Sequence, residues 1–265
     1  MTWANYRGSE AGQDLFVLAM LKNKRQGTFL EIGAQHPVYY SNTWRLETEY
    51  DWTGISIDRE DCSRHRIVLA EFWQQFYASV REFDWPDAES IDDLPEELQQ
   101  ECREVHGHDK HIAPWLQENL GWAVTRPGSE FVLHNALTYD YSRLPDYFDY
   151  LQVDIEPPNQ SLTALKLITA QIRFAVITFE HDAWTGTAEA EQARQQSREL
   201  LRDQGYELVV NDVGVEPRNL IDQGRMTYFE DWWADPARID PAQIERYRWI
   251  DHSGELKFAS EIFRK

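Results

Sequence analysis

The chain has 265 residues, 42% of them hydrophobic and 13% aromatic, which suffices for one large domain with a buried core. Its 46 acidic residues against 26 basic ones leave a formal charge of −20, a balance that repels nucleic-acid phosphates and argues against such a partner. Two isolated cysteines (Cys62 and Cys102), no basic-then-apolar leader and no apolar window of roughly 18 residues predict a cytoplasmic protein with no membrane segment.

Residues 13–21 carry apolar side chains at helical spacing and read as a short amphipathic helix. Residues 28–33 follow as a buried strand that ends at Gly33. Ser41, Asn42 and Thr43 precede a second helix, along which Glu47 lies; the Ser41 and Asn42 side chains either cap that helix or serve a site. Residues 54–58 form a second strand ending at Asp58. From about residue 61 to 128 the texture changes to aromatics, acids and helix formers. Three helices are predicted there, separated by Pro86, Pro95 and the region of Gly107. Strands resume at 130–134, 150–154 and 174–179, with helices at 161–170 and 188–204. Gly205 stops the last helix, and strands at 206–210 and 227–229 complete the pattern.

Short apolar strands alternating with helices predict an α/β fold: a doubly wound, mostly parallel sheet covered on both faces. In such sheets ligands sit at the carboxyl ends of the strands, so the residues that close each strand are the candidates for function. They are polar throughout: Glu31 and Gly33, Asp58, His134 and Asn135, Asp154 and Glu156, and Glu180 to Asp182. Gly33 permits a tight turn and close approach of a ligand to the backbone, and Asp58 can accept both hydroxyls of a ribose. The turn after Gly33 reads Ala-Gln-His-Pro-Val-Tyr. It lacks the glycines that cradle a dinucleotide pyrophosphate, which favours a nucleoside without phosphates.

Taken in order, Gly12 to Leu15, Phe29 to Ala34, Ser41 to Thr43, Trp52 to Asp58, Tyr139 to Tyr141, Asp149 to Glu156, Val176 to Asp182, Arg198 to Tyr206 and Glu230 to Trp233 resemble the FkbM-like branch of class I methyltransferases. The likeness covers about 9–60 and 129–236. It implies a seven-stranded, Rossmann-like sheet over a single domain, 1–265, that binds S-adenosylmethionine across its first two strand ends and methylates a small molecule, an oxygen of a sugar or other hydroxylated metabolite. Carried over by position, Glu31, Gly33 and Ala34 line the methionine and sugar side, Asp58 holds the ribose, and Asn135 and Ala136 lie near the adenine. The family usually has an acidic residue where Asn135 stands, and His36-Pro37 departs from its small, flexible turn. Residues 62–128 form a helical insertion where the family has a short connection. Its Phe72, Trp73, Phe76, Tyr77, Trp85 and Trp115 either shape an acceptor pocket or pack the insertion down.

Gln13 and Asp14 either fold over the cofactor or cap the first helix. Ser41 and Asn42 are carried as cofactor contacts, as is Asp154. Methyl transfer from a sulfonium needs alignment and a proton acceptor more than covalent help. His181 is the first choice for that base because its ordinary pKa lies near neutrality, with Asp154 and Glu156 beside it. Asp154, Glu180 and Asp182 offer carboxylate oxygens to a divalent metal such as Mg²⁺. His106, His108 and His111 read as exposed turn histidines. Trp184-Thr-Gly186 and Trp232-Trp233 serve either the acceptor or the sheet edge. Two other readings stay open, a nicotinamide-dependent oxidoreductase and an inactive binding module of the same fold; self-association into a homo-oligomer is left open too.

Overall fold

A computed structural model describes residues 9, 11–35, 37, 41–59, 126–214, 228–250 and 257–263. The three helices, the cysteines and the aromatics read within 62–125 lie outside the described residues. A seven-stranded sheet is formed by β1 (Thr28–Ile32), β2 (Thr53–Asp58), β3 (Ser129–Leu133), β4 (Tyr147–Val153), β5 (Arg173–Glu180), β6 (Glu207–Gly214) and β7 (Tyr228–Ala234), in the order β3-β2-β1-β4-β5-β7-β6. The first five strands run parallel, whereas β7 is antiparallel to both β5 and β6. The order reverses at β1, with β2 on one side and β4 on the other, which makes the carboxyl end of β1 the crevice of the sheet.

Helices cover both faces, as the doubly wound reading expected. Side chains alternate along a strand, so neighbours in sequence serve opposite cores. Phe29, Tyr150, Val176 and Trp232 pack beneath α1 (Gln13–Met20) and α2 (Trp44–Tyr50) through Phe16, Val17, Met20 and Leu46. Leu30, Leu151, Ile177 and Trp233 pack beneath α3 (Pro158–Thr169) and α4 (Ala188–Asp203) through Leu162, Leu165, Ile168, Ala193 and Leu201. Phe16 stacks on Trp232 with ring centroids 4.7 Å apart, joining α1 to β7. Trp232 and Trp233 are both fully buried, one in each core, on a strand that lies inside the sheet rather than at its edge.

The last two strands depart most from expectation. β7 runs to Ala234 although only 227–229 reads as a strand, because Glu230 and Asp231 interrupt its apolar run; in the fold both carboxylates are buried and paired. β6 likewise continues through Asn211 and Asp212 to Gly214, with register shifts against β7. Two short helices, α5 (Pro241–Tyr247) and α6 (Ala259–Ile262), follow. No helix among the described residues is long and apolar enough to cross a membrane.

Candidate active site

A polar row crosses the sheet one or two positions short of the strand ends. Glu31 pairs in register with Ser56 on one side and Gln152 on the other, and Gln152 pairs with Thr178, so all four share the face covered by α1 and α2. Glu31 is 1% exposed, yet it accepts hydrogen bonds from Ser56 Oγ at 2.8 Å, Thr43 Oγ1 at 2.9 Å and Ser41 Oγ at 3.4 Å. Burial raises its pKa, opposed by the nearby Arg126 charge and by the Ser56 and Thr43 bonds. Ser41 also accepts the Trp44 N–H at 3.1 Å, so it caps α2 and contacts Glu31 at once. Asn42 Oδ1 and Gln152 Oε1 are buried acceptors with no hydrogen-bond partner among the described residues, which suits a pocket completed by a further donor.

One step further lies the crevice. Gly33 has φ +80°, and a Cβ there would stand 1.6 Å from the Asp154 carbonyl oxygen. The turn is tight because β1 and β4 continue their ladder past Ile32, with Asp154 N–H bonded to the Ile32 carbonyl at 2.9 Å. Ala34 is buried behind it. Gln35 N–H donates to Asp58 Oδ2 at 2.8 Å, which aims the carboxylate at the end of β2 across the mouth of the turn. His134 N–H bonds the Asp58 carbonyl at 2.8 Å and brings Asn135 and Ala136 beside it. Asn135 is exposed and uses Oδ1 to accept the Leu137 N–H at 2.9 Å; Ala136 is buried. At the start of α1, Gln13 turns back to accept the Ala11 N–H at 2.9 Å. Asp14 accepts Ser9 Oγ at 2.6 Å and the Leu15 N–H at 2.9 Å, while the cap position itself is Gly12, which has no side chain.

At the ends of β4 and β5 the half-buried Asp154 stands near Glu156, whose exposed carboxyl is hydrogen-bonded to the buried Asp182. Partial burial, that bond and the charges of Asp182 and Asp154 push the Glu156 carboxyl up to about 7. Asp182 takes φ +50° and also accepts Trp184 Nε1 at 2.9 Å. Trp184 is 39% exposed, alone among the aromatic side chains of the described residues in being exposed. Glu180 pairs in register with Glu230 across β7.

The structure separates His181 from this group. Its ring is fully buried on the α4 face, where Nδ1 accepts the Ala183 N–H at 3.1 Å and Nε2 points to Asp231 Oδ1 at 3.6 Å and Asp212 Oδ1 at 3.9 Å. The Nδ1 lone pair is taken and solvent is shut out, so the ring has no free site with which to receive a substrate proton. Asp231 itself accepts two bonds from Arg198, at 2.6 and 2.8 Å. Burial tends to raise its pKa, but Arg198 overcomes this and holds the carboxyl far below the usual range.

The expected metal set does not assemble. Asp154, Glu180 and Asp182 do not bring three ligand atoms within 4.8 Å of one another; among the described residues only His181, Asp212 and Asp231 do. Those two carboxylates are already neutralised by Arg198 and Arg194 at 2.6–3.0 Å, so the residues present do not fit a divalent ion.

Arg126, which reads as nothing more than the edge of the insertion, is a central part of the site. Fully buried, it donates from Nε to Glu47 at 2.5 Å, from Nη1 to the Pro37 carbonyl and Ser41 Oγ, each at 3.0 Å, and from Nη2 to Thr43 Oγ1 at 2.7 Å. Its partners lie 79 to 89 positions away, and no local pattern signals it.

No family model matches the sequence, and no curated protein matches it. Among solved structures the chain is similar to cofactor-bound Rv0187 from MTB, at 16% identity and TM-score 0.45, over 84% of this chain and 78% of that one. It is also similar to an rRNA methylase from Streptococcus thermophilus, at 8% identity and TM-score 0.41, over 84% and 93%. A third is Burkholderia thailandensis 1,6-didemethyltoxoflavin-N1-methyltransferase with 1,6-didemethyltoxoflavin and S-adenosylhomocysteine bound, at 15% identity and TM-score 0.40, over 84% and 76%.

Proposed function

We propose that this protein binds S-adenosylmethionine at the carboxyl ends of β1, β2 and β4 and transfers its methyl group to a hydroxyl of a small, uncharged acceptor. The observation that carries the reading is the Gly33 turn. It has no room for a side chain, and it lies between Asp154 and an Asp58 carboxylate already aimed across the crevice by Gln35. Glu31, Gly33 and Ala34 would receive the methionine end, Asp58 the ribose, and Asn135 with Ala136 the adenine. A cofactor that carries a sulfonium and an ammonium is suited to a crevice ringed by Glu31, Asp58 and Asp154. When bound it supplies an activated methyl group with a neutral thioether as leaving group.

The chain's own task is to hold the acceptor in line and accept its proton. Glu156 replaces His181 in that role: it is exposed beside the crevice, and the neighbouring Asp182 and Asp154, with partial burial, push its carboxyl up to about 7, so that it can take a proton. Trp184, fixed through Nε1 by the same Asp182, offers a flat apolar wall next to that carboxyl. The surrounding acids, and a net charge of −20, disfavour a phosphorylated acceptor or nucleic acid.

Calorimetric titration with S-adenosylmethionine and S-adenosylhomocysteine tests the reading. Micromolar binding is expected, weakened about tenfold to a hundredfold in Asp58→Ala, as the loss of a charged hydrogen bond predicts. Absence of binding at millimolar ligand overturns it.

A further inference from the structure

The guanidinium of Arg126 touches three separate points of the segment that joins β1 to α2: the Pro37 carbonyl, the Ser41 hydroxyl and the Thr43 hydroxyl. Two of these, Ser41 and Thr43, are the hydroxyls that contact Glu31. A guanidinium can only donate. Each hydroxyl therefore accepts a hydrogen bond from Arg126 and donates its own O–H to Glu31, the acceptor at the end of the chain. The fourth bond, to Glu47, ties the same side chain to α2, and Glu47 also accepts the Gly128 N–H at 2.7 Å beside the start of β3.

Stability alone is a poor reason for this arrangement. A buried ion pair contributes little net stability compared with apolar side chains that fill the same volume. What a planar fork does supply is geometry, because it holds four acceptors at fixed angles. Pro37, Ser41 and Thr43 all lie between β1 and α2, so the fork fixes where these three residues stand relative to Glu31.

We propose that Arg126 is a positioning residue for the cofactor: it holds Pro37, Ser41 and Thr43 in place around Glu31 and orients the Ser41 and Thr43 protons toward that carboxyl. The inference rests on the reading of this crevice as a S-adenosylmethionine site. Lysine keeps the charge but, as a point donor, cannot span the same acceptors.

Calorimetry with S-adenosylhomocysteine on the wild-type chain, Arg126→Lys, Arg126→Ala and Asp231→Asn is the test, with circular dichroism to confirm folding. Arg126→Lys is expected to stay folded and to bind about tenfold or more weakly. Arg126→Ala should regain affinity when guanidinium, but not ammonium, is added at tens of millimolar. Asp231→Asn breaks a buried ion pair on the opposite face; it should lose stability and keep its affinity. Wild-type affinity in Arg126→Lys overturns the inference, and so does an equal weakening in Asp231→Asn, which would make lost stability the cause. Wild-type protein that fails to bind sinks the cofactor reading, and this inference with it.

Discussion

Gly33→Ala would put a methyl group 1.6 Å from the Asp154 carbonyl on a backbone at φ +80°, so either β4 or the turn must move. The substitution should cost about 2 kcal/mol or more of stability, read from a urea midpoint, and should abolish cofactor binding in the protein that still folds. Glu156 gives the second prediction at this scale. Carbon-detected NMR of its carboxyl should show a midpoint near 7, and Asp182→Asn, which removes a neighbouring negative charge, should lower it toward the ordinary glutamate value. A general base must be ionised to work, so methyl transfer should rise with pH through the same range and level off above it. The placement of Gly33, Asp58 and Glu31 is legible in the sequence because each lies at the end of a strand. His181 directly follows β5, and the same alternation that puts Phe179 on the α3–α4 face carries its ring there too, away from Asp154. Sequence spacing places a residue at an edge; it does not say that the space on its side is sealed by Asp212, Asp231 and Arg198.

The junction of α4 with β6 and β7 is held by charge. Arg198 and Arg194 reach from the helix to Asp212 and Asp231, and the Asp231 carboxylate is fully buried. Asp231→Asn leaves Arg198 short of a buried partner and should cost about 3–5 kcal/mol. The pH dependence has a definite sign. Arg198 lowers the Asp231 pKa in the folded protein, so its contribution is complete above the unfolded value of about 3.9 and is lost as pH falls below it. Acid unfolding of the wild type should therefore steepen below pH ~4, and that limb should flatten in Asp231→Asn, as followed by circular dichroism. This element pairing also explains the misread end of β7. Glu230-Asp231 looks like a turn when judged by polarity, yet Glu230 accepts Trp232 Nε1 at 2.6 Å and Asp231 binds Arg198, so both acids lie inside a strand. The β1, β4 and β5 strands were readable because they are buried on both faces and apolar at nearly every position.

Across the whole molecule the charge of −20 works against compactness, and screening should relieve it. Raising sodium chloride from low salt to about 0.15 M, where the Debye length is about 8 Å, should raise the melting temperature in a fluorimetric scan. A fall in melting temperature would mean that the ion pairs around Arg126 and Arg198 outweigh the general repulsion. By itself the amino-acid order determined an α/β sheet wound on both faces, with its polar strand ends gathered at one edge. Periodicity and the position of each strand's last residue are local properties, and local properties survive in a string of letters. The tertiary structure alone decided that Arg126 meets Pro37, Ser41 and Thr43, that His181 is sealed in an ionic cluster with Asp212 and Asp231, and that Glu156 meets Asp182. Those pairings join residues far apart in the chain or depend on how a backbone turns after its strand, and both are settled only when the elements pack.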